Sequence, residues 1–439
     1  MTTADSPLDH VTPYDRFAWS DAEIERFLAS GERRGELAAY FGVREYRALA
    51  ALARRAYLTP LAAAAPRVLI VPGIMGSQLG LRRRPPLPHD IVWLDPIDIQ
   101  LGRLATLRLP PGAPIVPLGV VLFSYLRLKL YLRAHGFAAE FHDYDWRLPV
   151  ADSGRALAAR LRAARPARLA IVAHSMGGLV SRAALTLPDT QHVERLVLLG
   201  TPNCGSFAAV QALRGTYVVV RKVASLALRD SAEQLAAEVF NTFPSLYDLL
   251  PAVPGEADLF DARSWPAAGP RPREFLLQAA RAARTQLAPA DERFAVIAGV
   301  GEQTVTGVAR RDDDFLYTVT RRGDGTVPVA SAELAGAHAV YAHVAHSDLT
   351  RSPEVAAAVV ELLRRGTTAR LPRRWTSASR ARAAVSDRQL RREYADKVNW
   401  AALAPEERRL YLEQLNQPPR LRLRVARPAQ RRRRAHRSG

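Results

Sequence analysis

Short apolar runs without helical period recur along the chain. They occupy residues 67–73 (RVLIVPG), 169–173 (LAIVA), 193–200 (VERLVLLG), 294–301 (FAVIAGVG) and 338–344 (HAVYAHV). Each run is bounded by turn signals, as a strand buried on both faces requires. Stretches with helical spacing separate them, at 152–165, 179–187 and 353–364. Strands that alternate with helices in this way predict βαβ units and a mainly parallel sheet. Residues 315–320 read as a hairpin strand, 141–147 as a strand end, and 117–136 as one helix-like stretch.

The alternation lapses in three places. Residues 1–65 read as short helices: Ser20 and Glu23 form a capping box, and a second helical stretch at 36–56 is interrupted near Gly42. With no basic recognition face, this is an amphipathic subdomain packed on the body rather than a helix-turn-helix reader. Residues 206–289 carry helical segments broken by Pro-rich pieces, and predict a mostly helical cap insertion between strands. Within it, residues 217–223 (YVVVRKV) mix aliphatic and basic side chains. A lipid-facing segment has that composition, and so does a buried element with a charged edge. Residues 366–439 form a third region, outside a body that spans 66–365.

Charge separates that region from the rest. The 439-residue chain has a formal net charge of +19 and is 48% hydrophobic, enough for a sizeable core. Residues 370–439 hold 20 Lys and Arg against 6 Asp and Glu, whereas the other residues hold 42 against 37. The basicity therefore belongs to the C-terminal extension. Residues 387–415 have room for one or two helices, 421–425 (LRLRV) alternate like an edge strand, and Arg431 to Arg434 form an unbroken run. Each basic residue near an anionic bilayer is worth about 1 kcal/mol, so peripheral contact with anionic membrane is one expectation for this segment. No aromatic platform or zinc-ligand pattern accompanies the arginines, which argues against sequence-specific nucleic-acid recognition. A single cysteine, Cys204, allows no intrachain disulfide. With no basic n-region, apolar h-region or 18-residue apolar window, the expectation is a cytoplasmic protein without a transmembrane helix.

The candidate chemistry gathers at the ends of the apolar runs. Residues 167–180 (ARLAIVAHSMGGLV) pass from a buried strand through a sharp turn into a helix. A serine at such a turn, Ser175, has the position of a nucleophile elbow, here written A-x-S-x-G. The Gly-rich bend 72–77 (PGIMGS) follows an early strand. Its backbone and that of the residue after the nucleophile can aim two N–H groups at one point, which assigns an oxyanion hole to Ile74 and Met176. Acyl transfer needs a base to activate the hydroxyl and an acid to orient the base. Asp324, between Gly323 and Gly325, and His346, after the last strand, complete the order Ser, Asp, His. Asp312 to Asp314 read as a solvated loop, His338 and His343 as residues in or beside the last strand, and His174 as a sheet-edge neighbour.

Five segments in this order resemble the lecithin:cholesterol acyltransferase family, which includes lysosomal phospholipase A2: VPGIMGSQL (71–79), YDWRL (144–148), AHSMGG (173–178), LGTPNCGS (199–206) and GDGTVP (323–328). The resemblance covers about residues 67–364. It implies an α/β-hydrolase fold, a mainly parallel sheet flanked by helices with a helical cap and helical extensions at both ends. It also implies a serine acyl hydrolase or O-acyltransferase for lipid esters, with neither metal nor organic cofactor. It places the nucleophile on Ser175, the acid on Asp324, the base on His346 and the oxyanion amides on Ile74 and Met176. Trp146 and Arg147 match a family marker and read as structural supports. The sequence departs from the animal members in lacking their disulfides, their export signal and their membrane-anchoring cap sequences. A different class of reading remains open, a membrane- or polyanion-binding scaffold built on a hydrolase-like body.

Overall fold

The computed structural model describes residues 19–62, 65–164, 168–252, 258–283, 287–376, 382–392 and 397–415. The strands are β1 (Arg67–Val71), β2 (Ser77–Leu81), β3 (Asp90–Trp93), β4 (Val116–Val120), β5 (Ala138–Phe141), β6 (Leu169–His174), β7 (Val193–Leu199), β8 (Phe294–Gly299), β9 (Thr304–Arg311), β10 (Asp314–Thr320), β11 (His338–Ala342) and β12 (Ala383–Ser386). Six of them form the central sheet in the order β11-β8-β7-β6-β1-β5. Every pairing in it is parallel. The five non-periodic apolar runs supply β1, β6, β7, β8 and β11, and the sixth strand, β5, runs into the expected strand end. The chain starts at β1, visits the edge at β5, then crosses to β6 and continues the other way. Ligand sites in open α/β sheets lie where the order reverses, outside the carboxyl ends of the strands. Those ends carry Ile74, Ser175, Gly200 and His346. This is an α/β-hydrolase arrangement.

The period of two divides each strand between two cores. Leu69, Val71, Ile171, Ala173, Leu196 and Leu198 pack on one face with the helices of the insertion. Val68, Ile70, Val172, Val197, Leu199 and Ile297 pack on the other, with the N-terminal helices and the closing helix Pro353–Arg365. The Ser20 capping box forms as read and opens the helix Asp21–Ser30. The helix Val43–Leu58 lies against the helix Leu122–Ala134, where Arg127 meets Glu45 at 2.5 Å.

Several elements differ from the sequence reading. Residues 117–136 are not one helix: β4 occupies the first part and a helix starts at Leu122. β4 belongs to a small sheet of order β3-β2-β4, and a third sheet has the order β12-β10-β9. β12 had no periodic signal, being only four residues long and paired with β10 through backbone bonds. Residues 218–223 lie in a helix, Val218–Leu226, capped by Tyr217, and its Val218, Val219, Val220, Arg221 and Val223 are all buried. The buried alternative therefore holds over the lipid-facing one. Residues 421–425 and Arg431 to Arg434 lie outside the described residues. Among the described residues, no helix is long and apolar enough to cross a membrane.

Candidate active site

Ser175 sits between β6 and the helix Met176–Ala184 with φ 54° and ψ −129°. A positive φ is uncommon for a residue with a side chain and marks a turn held by its surroundings. Its N–H donates to Leu199 O at 2.9 Å, which ties the elbow to β7. The tight turn needs the first helical turn to lie against the β1 loop. A Cβ on Gly177 would stand 2.4 Å from Pro72 O, so only glycine fits.

Asp324 and His346 meet as the chain order suggested. His346 Nδ1–H donates to Asp324 Oδ2 at 2.7 Å, and both side chains are buried. Asp324 Oδ1 accepts from the N–H groups of Thr326 (3.0 Å) and Val327 (2.7 Å). The turn 322–328 thus folds around the carboxylate and fixes it. His346 N–H also donates to Asp324 O at 2.9 Å, which holds the two backbones together. Beneath the pair lies Gly200, at φ +56°; a Cβ there would stand 3.1 Å from both Asp324 Oδ2 and His346 Nδ1.

Ser175, His174 and His346 line one cavity of about 760 Å³, open mouth included. Its walls are largely apolar, with Met75, Leu94, Val121, Phe123, Val219 and Leu412 among them. With Nδ1 committed to Asp324, His346 has Nε2 left for the serine. Among the described residues the Ser175 hydroxyl makes no hydrogen bond to that nitrogen; unliganded sites often hold this contact long. Ile74 lines the same cavity, and its N–H, unlike those of Gly73 and Gly76, has no partner among the described residues. Met176 is the first residue of its helix, so its N–H lies outside the intrahelical ladder.

Four aromatic side chains brace the loop that carries Ile74. Tyr144 Oη donates to Pro72 O (2.9 Å), Trp93 Nε1 to Met75 O (2.9 Å) and Trp146 Nε1 to Ser77 O (3.0 Å). Gly73 N–H donates to Tyr125 Oη at 3.0 Å. Trp146 and Arg147 are thus supports: Arg147 is buried, forks onto Asp145 at 2.9 and 2.7 Å, and donates to Leu107 O at 2.9 Å.

Sequence reasoning missed one connection. His174 Nε2 lies 3.0 Å from His346 O, and its Nδ1 lies 3.0 Å from Tyr125 Oη. A carbonyl only accepts, so Nε2 carries the proton and Nδ1 accepts from the tyrosine. A chain of hydrogen bonds therefore runs from Gly73 in the loop, through Tyr125 and His174, to the backbone of His346. Burial pushes the His174 imidazole down to about 3, with the nearby His346 ring acting in the same direction, so it stays neutral. The motif AHSMGG signalled the position of His174, but nothing in the helical pattern around Tyr125 marked it. Among the described residues no cluster of three or more His, Cys, Asp or Glu is placed to hold a metal ion.

The model of the PGAP1-like alpha/beta domain matches residues 157–241, which include Ser175. Among solved structures, the chain is similar to the Bacillus licheniformis lipase BlEst2 in mature form, with 16% identity over 71% of this chain and 96% of that one and a TM-score of 0.36. For the propeptide form the values are 16% identity, 74% and 54% coverage, and a TM-score of 0.38. For the Tle4–Tli4 complex they are 13% identity, 68% and 98% coverage, and 0.46. No curated protein matches the sequence. The elbow at the centre of a six-stranded parallel sheet and the PGAP1-like match together identify an α/β-hydrolase-type protein.

Proposed function

We propose that this protein is a serine acyl hydrolase or O-acyltransferase acting on lipid esters. The observation that carries the reading is the buried Asp324–His346 pair opening on the same apolar-walled cavity as the strained Ser175 elbow. Ser175 Oγ attacks the ester carbonyl while His346 Nε2 takes its proton. Asp324 holds the Nδ1–H tautomer and stabilises the imidazolium that forms. The oxyanion of the tetrahedral intermediate is received by the N–H groups of Ile74, in the loop braced by the four aromatic side chains, and of Met176, at the start of its helix. His346 then protonates the leaving alcohol, and an acyl-Ser175 ester remains. Water, or a second alcohol, reverses the sequence and releases acid or a new ester. The resemblance to lecithin:cholesterol acyltransferases makes lipid alcohols the acceptors to try. A panel of phospholipids, acylglycerols and short soluble esters, with and without added alcohols and read by mass spectrometry, tests the reading. Release of fatty acid or of a new ester supports it, and a panel without turnover overturns it.

The basic extension favours an accompanying role. Residues 416–439 contain nine arginines and no Asp or Glu, so they would attach the enzyme to anionic lipid. Deleting them should lower binding to phosphatidylserine vesicles and spare turnover of a soluble ester. If vesicle binding disappears and the ester is turned over by neither form, the scaffold reading replaces the enzymatic one.

A further inference from the structure

We infer that the C-terminal helix Pro405–Glu413 and the two residues after it form one wall of the acyl-chain site, with Leu412 and Leu415 bounding the chain. This rests on the proposed esterase reading and adds a part of the molecule that lies outside the hydrolase body. Leu412, Glu413 and Leu415 line the same cavity as Ser175 and His346. Both leucines are buried, although they sit at the end of the described chain. Met75, Leu94 and Phe123 stand among the other lining residues, so a chain entering the cavity meets apolar surface there as well.

The helix is fastened by polar bonds to three separate elements. Glu413 meets Arg351 at 3.3 Å, and Arg351 lies five positions after His346 on the segment leading to the closing helix. The same carboxylate is held by Arg409, one helical turn earlier, at 2.6 Å. Tyr411 Oη contacts Ser225 Oγ (2.5 Å) and donates to Lys222 O (2.8 Å), both on the insertion helix Val218–Leu226. Lys222 Nζ donates to Gln414 O at 2.5 Å. Glu406 Oε1 accepts from Val43 N–H at 3.2 Å, at the start of an N-terminal helix. These clamps fix the register of the helix, and that register determines which side chains reach the cavity. Leucine there supplies apolar surface with few rotamers. Each methylene moved from water onto such surface is worth about a fourfold change in kcat/KM. The wall therefore selects for acyl chains long enough to reach Leu412 and Leu415, and sets how far they extend.

The test uses the full chain and p-nitrophenyl acetate, butyrate, octanoate and dodecanoate. For the wild type, kcat/KM should rise with chain length. In Leu412→Trp and Leu415→Trp the octanoate-to-acetate ratio should fall at least tenfold, because the indole takes up room in the cavity that a longer chain needs. In Leu412→Ala and Leu415→Ala the maximum should move to longer chains. Ratios within twofold of wild type in all four variants, with native circular dichroism, overturn the inference while leaving the esterase reading in place. Calorimetric titration of Ser175→Ala with decanoate separates the two claims. If no ester is turned over, yet adding Leu412→Trp to that background weakens decanoate binding tenfold, the wall stands and the catalytic reading falls. If decanoate binding is unaffected by the tryptophan, the wall falls.

Discussion

Two aspartates are buried equally deeply and have different partners. Asp324 is 1% exposed and Asp387 is 0% exposed. Both are saturated with hydrogen bonds: Asp324 by two turn amides and the His346 imidazole, Asp387 by Arg214 Nε (2.7 Å), Tyr317 Oη (2.6 Å) and Thr216 Oγ1 (3.2 Å). The difference lies in the partner. Arg214 is wholly buried and spends its remaining donors on Pro266 O (3.2 Å), Pro270 O (2.6 Å) and Ala268 O (2.5 Å). That cluster ties the segment after β12 to the insertion and to the β10 hairpin. His346 instead spends one ring nitrogen on Asp324 and lines a cavity. A buried carboxylate is thus no marker of chemistry by itself. A partner that lines a cavity is what distinguishes the first region from the second.

The comparison breaks if the two carboxylates respond alike to neutralisation. Asp324→Asn should present an amide N–H to His346 Nδ1, favour the wrong tautomer and lower kcat/KM by about 10⁴-fold. The turn amides can still bond the Asn carbonyl, so the urea unfolding midpoint should move little. Asp387→Asn should behave in the opposite way. It leaves the Arg214 guanidinium buried without its counter-charge, at a cost of about 3–5 kcal/mol, while the folded fraction keeps kcat/KM within tenfold. Steady-state kinetics and urea titration on both variants decide the matter. Equal losses of activity, or of stability, would erase the distinction.

A smaller effect sharpens it. Burial lowers His174 to about 3, and burial together with Arg160 lowers His142 to about 4. Their unfolded value is about 6.5. The unfolded chain therefore binds more protons below that pH, so the stability these neutral rings permit is complete above about 6.5 and is lost as pH falls towards 4. Each should contribute a slope of about 1.4 kcal/mol per pH unit over that window. His174→Phe should flatten the measured slope by one histidine's share. An unchanged slope would mean that His174 is protonated in the folded protein.

The pairing of Asp324 with His346 was legible in the sequence, and that of Asp387 with Arg214 was not. Ser175, Ile74 and Met176 follow from local signals, a buried strand, a sharp turn and a helix. Asp324 and His346 follow from chain order and from turns that suit an acid and a base at a sheet edge. The partnership of Asp387 with Arg214 joins residues far apart in the chain, and no periodicity encodes it. The same limit hid Tyr125, which sits in an ordinary apolar helix and acts through one hydroxyl. It hid the small sheets too, because β3 and β12 are only four residues long and β12 pairs with β10, far away in the chain. The apolar run 217–223 was compatible with lipid or with a core, and only packing separates those. Leu412 and Leu415 lie in a charged extension whose composition speaks of its surface, not of the two side chains turned inward.

The central claim is that Ser175 is the residue made reactive by the Asp324–His346 pair. Incubating the protein with a fluorophosphonate probe and mapping the adduct by peptide mass spectrometry tests it most directly. One adduct per chain on Ser175, abolished by Ser175→Ala and slowed by at least 10³-fold in Asp324→Asn but not in Asp387→Asn, is the expected result. Labelling that persists in Ser175→Ala, or maps to another side chain, would contradict it.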